Sequence, residues 1–515
     1  MRTLKLKRCF AAFAAGLVCL LFASSVSAER VVIVGDSITG HSMNLPFGYV
    51  HEMRRALKDG GVTDVEIAPL GWSGSTVQSW IPTVEQSRTV RRKFDIPNIF
   101  CKDEFDKGAD TLIVFLGMND ATKPTVQLTD ASLTQWKNDY QKLLDLLKAR
   151  VPWRKLILCP PTMLTEDPWS NRNELMDKMS LALIEVAKAN NATICDIRGE
   201  YKKHFLNARL TKSEFFMTKD CVHPQKEGHA LMAWSLLKSI GQEKVAQAYY
   251  VANVPEFVRD FKAPGMSLFV AHGNEGDQLT VRGFLRGADA KSLSVVAPDG
   301  FKSNGITAGS DGAFTVSLSG HMKTASADLV VKAGNISRSV RVNAPFYVAM
   351  PFAGSAIANP QTFDWDAQNT QIDRDVLAGK DPLQSKIDDK PVRWFTCYPT
   401  QDVTGRMSTD SVDFASLADM TSFDKGYIVR RVYSPKAQVA TLRVVPDGFS
   451  TTDYARVWLN GKQVCQEGVS PRLKVHDLTV QVELKQGWNT LVARVNHTEW
   501  QWAMTLNLTA EGLSY

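Results

Sequence analysis

Between Arg30 and about Tyr250, short apolar runs alternate with longer segments whose apolar positions recur every three or four residues. That is the pattern of strands feeding helices in a parallel sheet covered on its faces. It predicts strands at Val31 to Val34, Val65 to Ala68, Thr111 to Leu116, Lys155 to Cys159 and Thr193 to Asp196, with amphipathic helices at Leu133 to Lys148 and Glu174 to Ala189. The stretch from Thr76 to Asp110 is long for a single crossover and is expected to hold an inserted excursion.

After Tyr250 the helical period gives way to short alternating runs separated by Gly, Asp and Asn turns. Runs at Gln278 to Phe284, Ser292 to Val296, Phe314 to Leu318, Leu329 to Lys332 and Val340 to Val342 predict an Ig-like β-sandwich over residues 263–344. A third segment, 345–515, carries further runs at Tyr427 to Val432, Val439 to Val445, Ala455 to Leu459 and Thr490 to Val495. Asn460-Gly461 after Val457-Trp458-Leu459 is a two-residue hairpin signal, because both central residues tolerate positive φ. With Gly487-Trp488-Asn489 before the last strands, this segment resembles the galactose-binding-like jelly-roll modules attached to many glycan-active enzymes. Trp458, Trp488, Trp500 and Trp502 could form a carbohydrate platform, or could equally fill a sandwich core.

A chain of 515 residues divides into several cores, and 44% hydrophobic with 22% charged residues describes a folded protein rather than a disordered one. Residues 1–28 read as a signal peptide: Arg2, Lys5, Lys7 and Arg8, an apolar run from Cys9 to Ala23, then Val26-Ser27-Ala28. The expected mature chain is secreted or periplasmic and has no integral membrane segment. Most of the formal net charge of +6 belongs to that leader, so the composition gives no support to a nucleic-acid partner. The cysteines show no Cys-x-x-Cys spacing, so no metal site is expected. A Cys397–Cys465 disulfide is one pairing among many.

The candidate chemistry begins where Val31-Val32-Ile33-Val34 runs into Gly35-Asp36-Ser37-Ile38-Thr39. A serine in a sharp strand-to-helix turn lies beyond the carboxyl end of a strand, where open α/β sheets bind ligands. Read alone, Gly-Asp-Ser could as well be a turn and helix cap. Three later blocks shift the balance: Gly71-Trp72-Ser73-Gly74-Ser75, Gly117-Met118-Asn119-Asp120 and Asp220-Cys221-Val222-His223-Pro224. The four in this order resemble the SGNH hydrolases, also called GDSL esterases, over roughly Arg30 to Gly241. The resemblance implies a flavodoxin-like three-layer α/β/α catalytic domain with a parallel sheet over residues 29–250, followed by the two β-sandwich domains.

It also implies Ser37 as nucleophile, His223 as its base and Asp220 as the carboxylate that orients the base. The oxyanion donors it implies are the backbone amides of Ser37 and Gly74 and the side chain of Asn119. An imidazole suits the base role because its unperturbed pKa lies near neutrality. No cofactor is implied. Trp72 and Trp80 are candidate substrate contacts, with core packing as the alternative. His41 and His51 read as exposed or capped, and Cys221 as a disulfide partner or a small buried residue.

The resulting expectation is an exported serine esterase that removes short acyl groups, acetyl above all, from polysaccharide or oligosaccharide. A lysophospholipase or thioesterase would share every catalytic residue. An inactive glycan-binding or scaffold protein is a reading from another class, and the intact blocks argue against it.

Overall fold

The computed structural model describes residues 28–85, 89–90, 99–122, 126–275, 278–352, 367, 369–399, 411–414, 417, 424–446, 454–468, 478–496 and 503–515. Residues 1–27 of the expected signal peptide, Trp500 and Trp502 lie outside them, as do residues 86–88 and 91–98 of the excursion after Thr76. Among the described residues no helix is long and apolar enough to cross a membrane.

Five parallel strands form the first sheet: β1 (Glu29–Gly35), β2 (Val65–Gly71), β3 (Thr111–Phe115), β4 (Lys155–Leu158) and β5 (Thr193–Ile194), in the order β2-β1-β3-β4-β5. Val31, Val32, Ile33 and Val34 have no exposed surface. A strand flanked on both edges and covered on both faces selects such a β-branched run. Helices Tyr49–Asp59, Asp130–Arg150, Asn171–Ala189, Ile197–Thr211 and Lys226–Ser239 join it in one core.

The strand order reverses at β1, the point at which open α/β sheets leave a crevice. Register makes that crevice a site, because Gly35 lies opposite Gly71 of β2 and Phe115 of β3. The loops carrying Ser37, Gly74 and Asn119 therefore leave the sheet at one level.

Two antiparallel units follow. Strands Gly265–Val270, Gln278–Arg286, Phe301–Ala308 and Ala313–Gly320 form one sheet, and Leu293–Val296, Ser326–Ala333 and Ile336–Asn343 a second. Both contribute to one apolar core, with Val281 and Val316 on one side and Leu329 and Val331 on the other. In the last unit a seven-stranded and a four-stranded sheet share a core that includes Ile428, Ala455, Leu442 and Leu506. The short strand Gly273–Glu275 leaves the middle segment to pair with Phe395–Cys397, at the edge of that seven-stranded sheet. A boundary drawn on composition alone does not show this exchange.

The segment from Leu164 to the start of the helix Asn171–Ala189 fastens the α/β unit to both β units. Arg282 Nη1 donates to Trp169 O at 2.8 Å and Asn171 Nδ2 to Leu417 O at 3.2 Å. Phe269 packs edge-on against Trp169 and joins the α/β core. Two expectations are corrected in the β units. Cys397 is a free thiol, not bonded to Cys465; its sulfur lies 3.3 Å from Nε2 of buried His272. Trp458 has no exposed surface and belongs to the core beside Tyr427 and Val429, so it offers no ring face to a sugar.

Gly71, at the end of β2, lies against the short helix Ser37–His41. A Cβ there would stand 2.1 Å from Gly40 N and 2.6 Å from Gly40 Cα, atoms of backbone that no rotamer can move aside. Gly71→Ala is expected to destabilise this unit by about 1–3 kcal/mol and to lower its thermal unfolding midpoint. An unchanged unfolding midpoint would contradict the close approach.

Candidate active site

The serine is placed by the way β1 ends. Asp36 caps the helix Ser37–His41 by accepting the Ile38 N–H at 2.8 Å, so the chain turns at Gly35 and Ser37 opens the helix. Thr39 is buried beneath it and accepts from the Tyr49 hydroxyl at 2.8 Å.

Ser37 Oγ stands 2.9 Å from His223 Nε2, and His223 Nδ1 stands 2.9 Å from Asp220 Oδ2. The other oxygen of Asp220 accepts the backbone N–H groups of His223 at 2.7 Å and Val222 at 3.2 Å. One carboxylate thus folds the turn and orients the ring inside it. With a carboxylate at Nδ1, that nitrogen carries the proton, and Nε2 is free to accept from the serine hydroxyl. Burial pushes the Asp220 carboxyl up, but the hydrogen bond and charge of His223, with the two backbone donors, outweigh it and hold the group below its ordinary value. It stays a carboxylate at neutral pH. Cys221 sits in the same turn, buried, at φ +65°, an unusual conformation for a residue with a side chain.

Gly74 lies at φ +75°, in the left-handed region that glycine enters without steric cost. Asn119 Nδ2 donates to Ser75 O at 2.9 Å, tying the loop after β3 to the loop after β2. The second hydrogen of that amide has no acceptor among the described residues. The structure thus joins Ser37, His223 and Asp220 by contact, and Asn119 to the loop of Gly74.

The two tryptophans separate. Trp72 is half-buried and meets Trp80 edge-on at 6.4 Å. Trp80 itself has no exposed surface, and its indole N–H lies 3.2 Å from Gly35 O and 3.1 Å from Ser75 Oγ. As a substrate contact Trp80 is therefore corrected: it pins two site loops from beneath.

His51 is exposed and lies 2.7 Å from Met43 O, as a capped histidine should. His41 instead lies against the site, its ring centroid 4.8 Å from that of His223. Sequence spacing carried no signal for that contact, which depends on a short helix bringing residue 41 back over the site.

Three buried carboxyl groups around the site also went unread. Asp120 accepts from Val77 N at 3.1 Å and from Trp136 Nε1 at 3.1 Å, so it caps the helix Val77–Glu85 beside the Asn119 loop. Glu166 accepts from Met217 N at 3.1 Å, Thr218 N at 2.7 Å and the Thr218 hydroxyl, bracing the segment that leads into Asp220. Burial raises the carboxyl of Asp36 to about 6, against the opposing Ile38 N–H and the charge of His223. It raises that of Asp120 to about 7 and shifts Glu166 upward too. Burial and the charge of His223 push the imidazole of His229 down to about 3, so it is neutral when it accepts the Tyr49 N–H at 3.3 Å.

Compared with known proteins, residues 33–231 match the GDSL-like lipase/acylhydrolase family. No curated protein matches. Among solved structures the chain is similar to an acetyl xylan esterase, AlAXEase, at 23% identity over 41% of this chain and 99% of that one, with a TM-score of 0.33. It is similar to Axe2, an acetylxylan esterase from Geobacillus stearothermophilus, at 19% identity over 42% and 95%, with a TM-score of 0.31. It is also similar to LAE5, an alpha/beta hydrolase enzyme from the metagenome of Lake Arreo, Spain, at 20% identity over 42% and 96%, with a TM-score of 0.31.

The buried carboxyl of Asp120 sets a pH dependence of stability. Between the ordinary value of 3.8 and about 7, the folded chain holds a proton that the unfolded chain has released. The contribution is full at acid pH and is lost as pH rises toward neutrality. Asp120→Asn keeps an oxygen for Val77 and Trp136 but does not ionise. Its free energy of unfolding, relative to the parent, is expected to rise across that window by an amount on the order of a few kcal/mol, with the unfolding midpoint rising accordingly. Parallel midpoint-against-pH profiles for the two proteins would contradict a raised carboxyl.

Proposed function

Because residues 33–231 match the GDSL-like lipase/acylhydrolase family, we propose that this protein is an exported serine hydrolase of carboxylic esters. In this reading it removes acetyl or similarly short acyl groups from glycans. The observation that carries the reading is the unbroken chain from Ser37 Oγ through His223 to Asp220, each link 2.9 Å. A serine hydroxyl needs a base at that distance before it can attack a carbonyl carbon.

His223 Nε2 takes the Ser37 proton as Oγ bonds to the acyl carbon. Asp220 stabilises the imidazolium, which then gives the proton to the leaving alcohol oxygen. Water, activated by the same ring, attacks the acyl-serine and releases the acid. The backbone amides of Ser37 and Gly74 and the second N–H of Asn119 are the proposed donors to the oxyanion at each tetrahedral stage. No step in this sequence needs a cofactor. The leader at residues 1–28 supports export.

A short acyl group is favoured by what surrounds the serine. A long chain needs an apolar trough, since each buried methylene contributes only about 0.8 kcal/mol. The apolar side chains of the neighbouring helix, Val77, Trp80, Ile81 and Val84, are buried in the core instead. Partly exposed beside Ser37 are His41, Trp72, Ser73 and Gly74. They suit a polar alcohol, with Trp72 the candidate contact to a sugar ring.

A series of p-nitrophenyl esters from acetate to octanoate, with acetate release from acetylated xylan, tests this directly. The expected result is a kcat/KM highest for acetate and falling by about tenfold or more along the series, with acetate freed from the polysaccharide. A rise toward octanoate, with no acetate released, would give the protein to the lipid-hydrolase reading.

A further inference from the structure

Away from the α/β unit, a cleft of about 900 Å³ opens between the middle and last β units; none of its lining residues precedes Gly300. Trp488 forms part of its wall and is 55% exposed. Its ring is backed by Tyr433, edge-on at 5.6 Å. An exposed tryptophan keeps a large apolar face in water, which is unfavourable unless something covers it.

The turn that presents Trp488 is rigid before any ligand arrives. The fully buried side chain of Asn489 accepts the Lys485 N–H at 3.0 Å and donates to Lys485 O at 2.9 Å and Gly487 O at 3.0 Å. Its oxygen also accepts from Asn460 Nδ2 at 2.9 Å, while Asn460 Oδ1 accepts the Thr490 N–H at 3.0 Å. One buried amide thus locks together two turns of the cleft wall, and binding there costs little ordering of loop or backbone.

Charge defines the ligand further. Among the described residues that line the cleft, Lys323, Lys380, Arg431 and Lys485 stand with one acidic side chain, Asp381, which is paired with Arg431. Lys380 pairs with Asp375 at 3.6 Å from an exposed position. Lys323 and Lys485 are exposed and form no ion pair among the described residues. An indole face suits the C–H face of a sugar ring, and two unengaged ammonium groups suit carboxylates.

We propose that this cleft is a binding site for an acidic polysaccharide whose uronic-acid rings stack on Trp488 and pair with Lys323 and Lys485. Such a site would tether the protein to polyanionic glycan independently of the chemistry at Ser37, so its test does not depend on the esterase reading. A neutral glycan would leave both cations without a role, and a nucleic acid would not need the sugar-sized shelf held at a fixed turn.

Affinity electrophoresis of the full chain through gels containing polygalacturonate, unsubstituted xylan or single-stranded DNA tests this, with thermal unfolding confirming that each variant is folded. Retardation is expected in polygalacturonate, weakening with salt, and much less in the other two. Trp488→Ala is expected to raise the apparent Kd for polygalacturonate about tenfold, while Trp488→Phe restores part of it. The double variant Lys323→Gln/Lys485→Gln is expected to lose most retardation and most salt dependence. Absence of retardation by polygalacturonate would overturn the proposal. So would equal or tighter binding of xylan or DNA, or folded variants that bind as the parent does.

Discussion

The carboxylate of Asp220 accepts from three donors, the backbone N–H groups of Val222 and His223 and the Nδ1 of the His223 ring. The first two bonds fix the path of the chain and the third fixes the ring held by that path. Remove the carboxylate and the turn, the tautomer and the reach toward Ser37 fail together. That coupling explains why so short a segment, Asp220 to His223, can hold a residue as unfavourably placed as Cys221 at positive φ. The arrangement needs Ser37 at one fixed height, which the parallel register of β1 with β2 and β3 supplies.

Around this relay the protein uses buried carboxyl groups as clamps. Asp36, Asp120 and Glu166 each accept backbone N–H groups at a loop that carries a site residue. Burial raises all three in pKa. Such groups cost desolvation energy and return fixed geometry to the loops that carry Ser37, Gly74 and Asp220. Trp80 plays the apolar counterpart, with its indole N–H under both Gly35 and Ser75.

The sheet and the relay were legible because their signals are local. Val31 to Val34 declares a buried parallel strand by composition alone, and each site block stands at a strand end or in one compact turn. What could not be read depended on contacts distant in sequence. Trp80 is as aromatic as Trp72, and only packing decides which ring faces solvent. His41 meets His223 across a separation in sequence that no spacing rule spans. Glu166 reaches Thr218 in the same way. The strand Gly273–Glu275 is too short to announce that it pairs with the following unit. Cys397 had no sequence mark of the histidine that lies beside it.

In the proposed reaction Ser37 carries the acyl group between two half-reactions. Rapid acid quenching during turnover of p-nitrophenyl acetate, followed by peptide mass analysis, tests it most directly. A transient acetyl group is expected on Ser37 itself, with neither adduct nor turnover in a folded Ser37→Ala variant. Undiminished hydrolysis by that variant, or an acetyl group found on another residue, would contradict it.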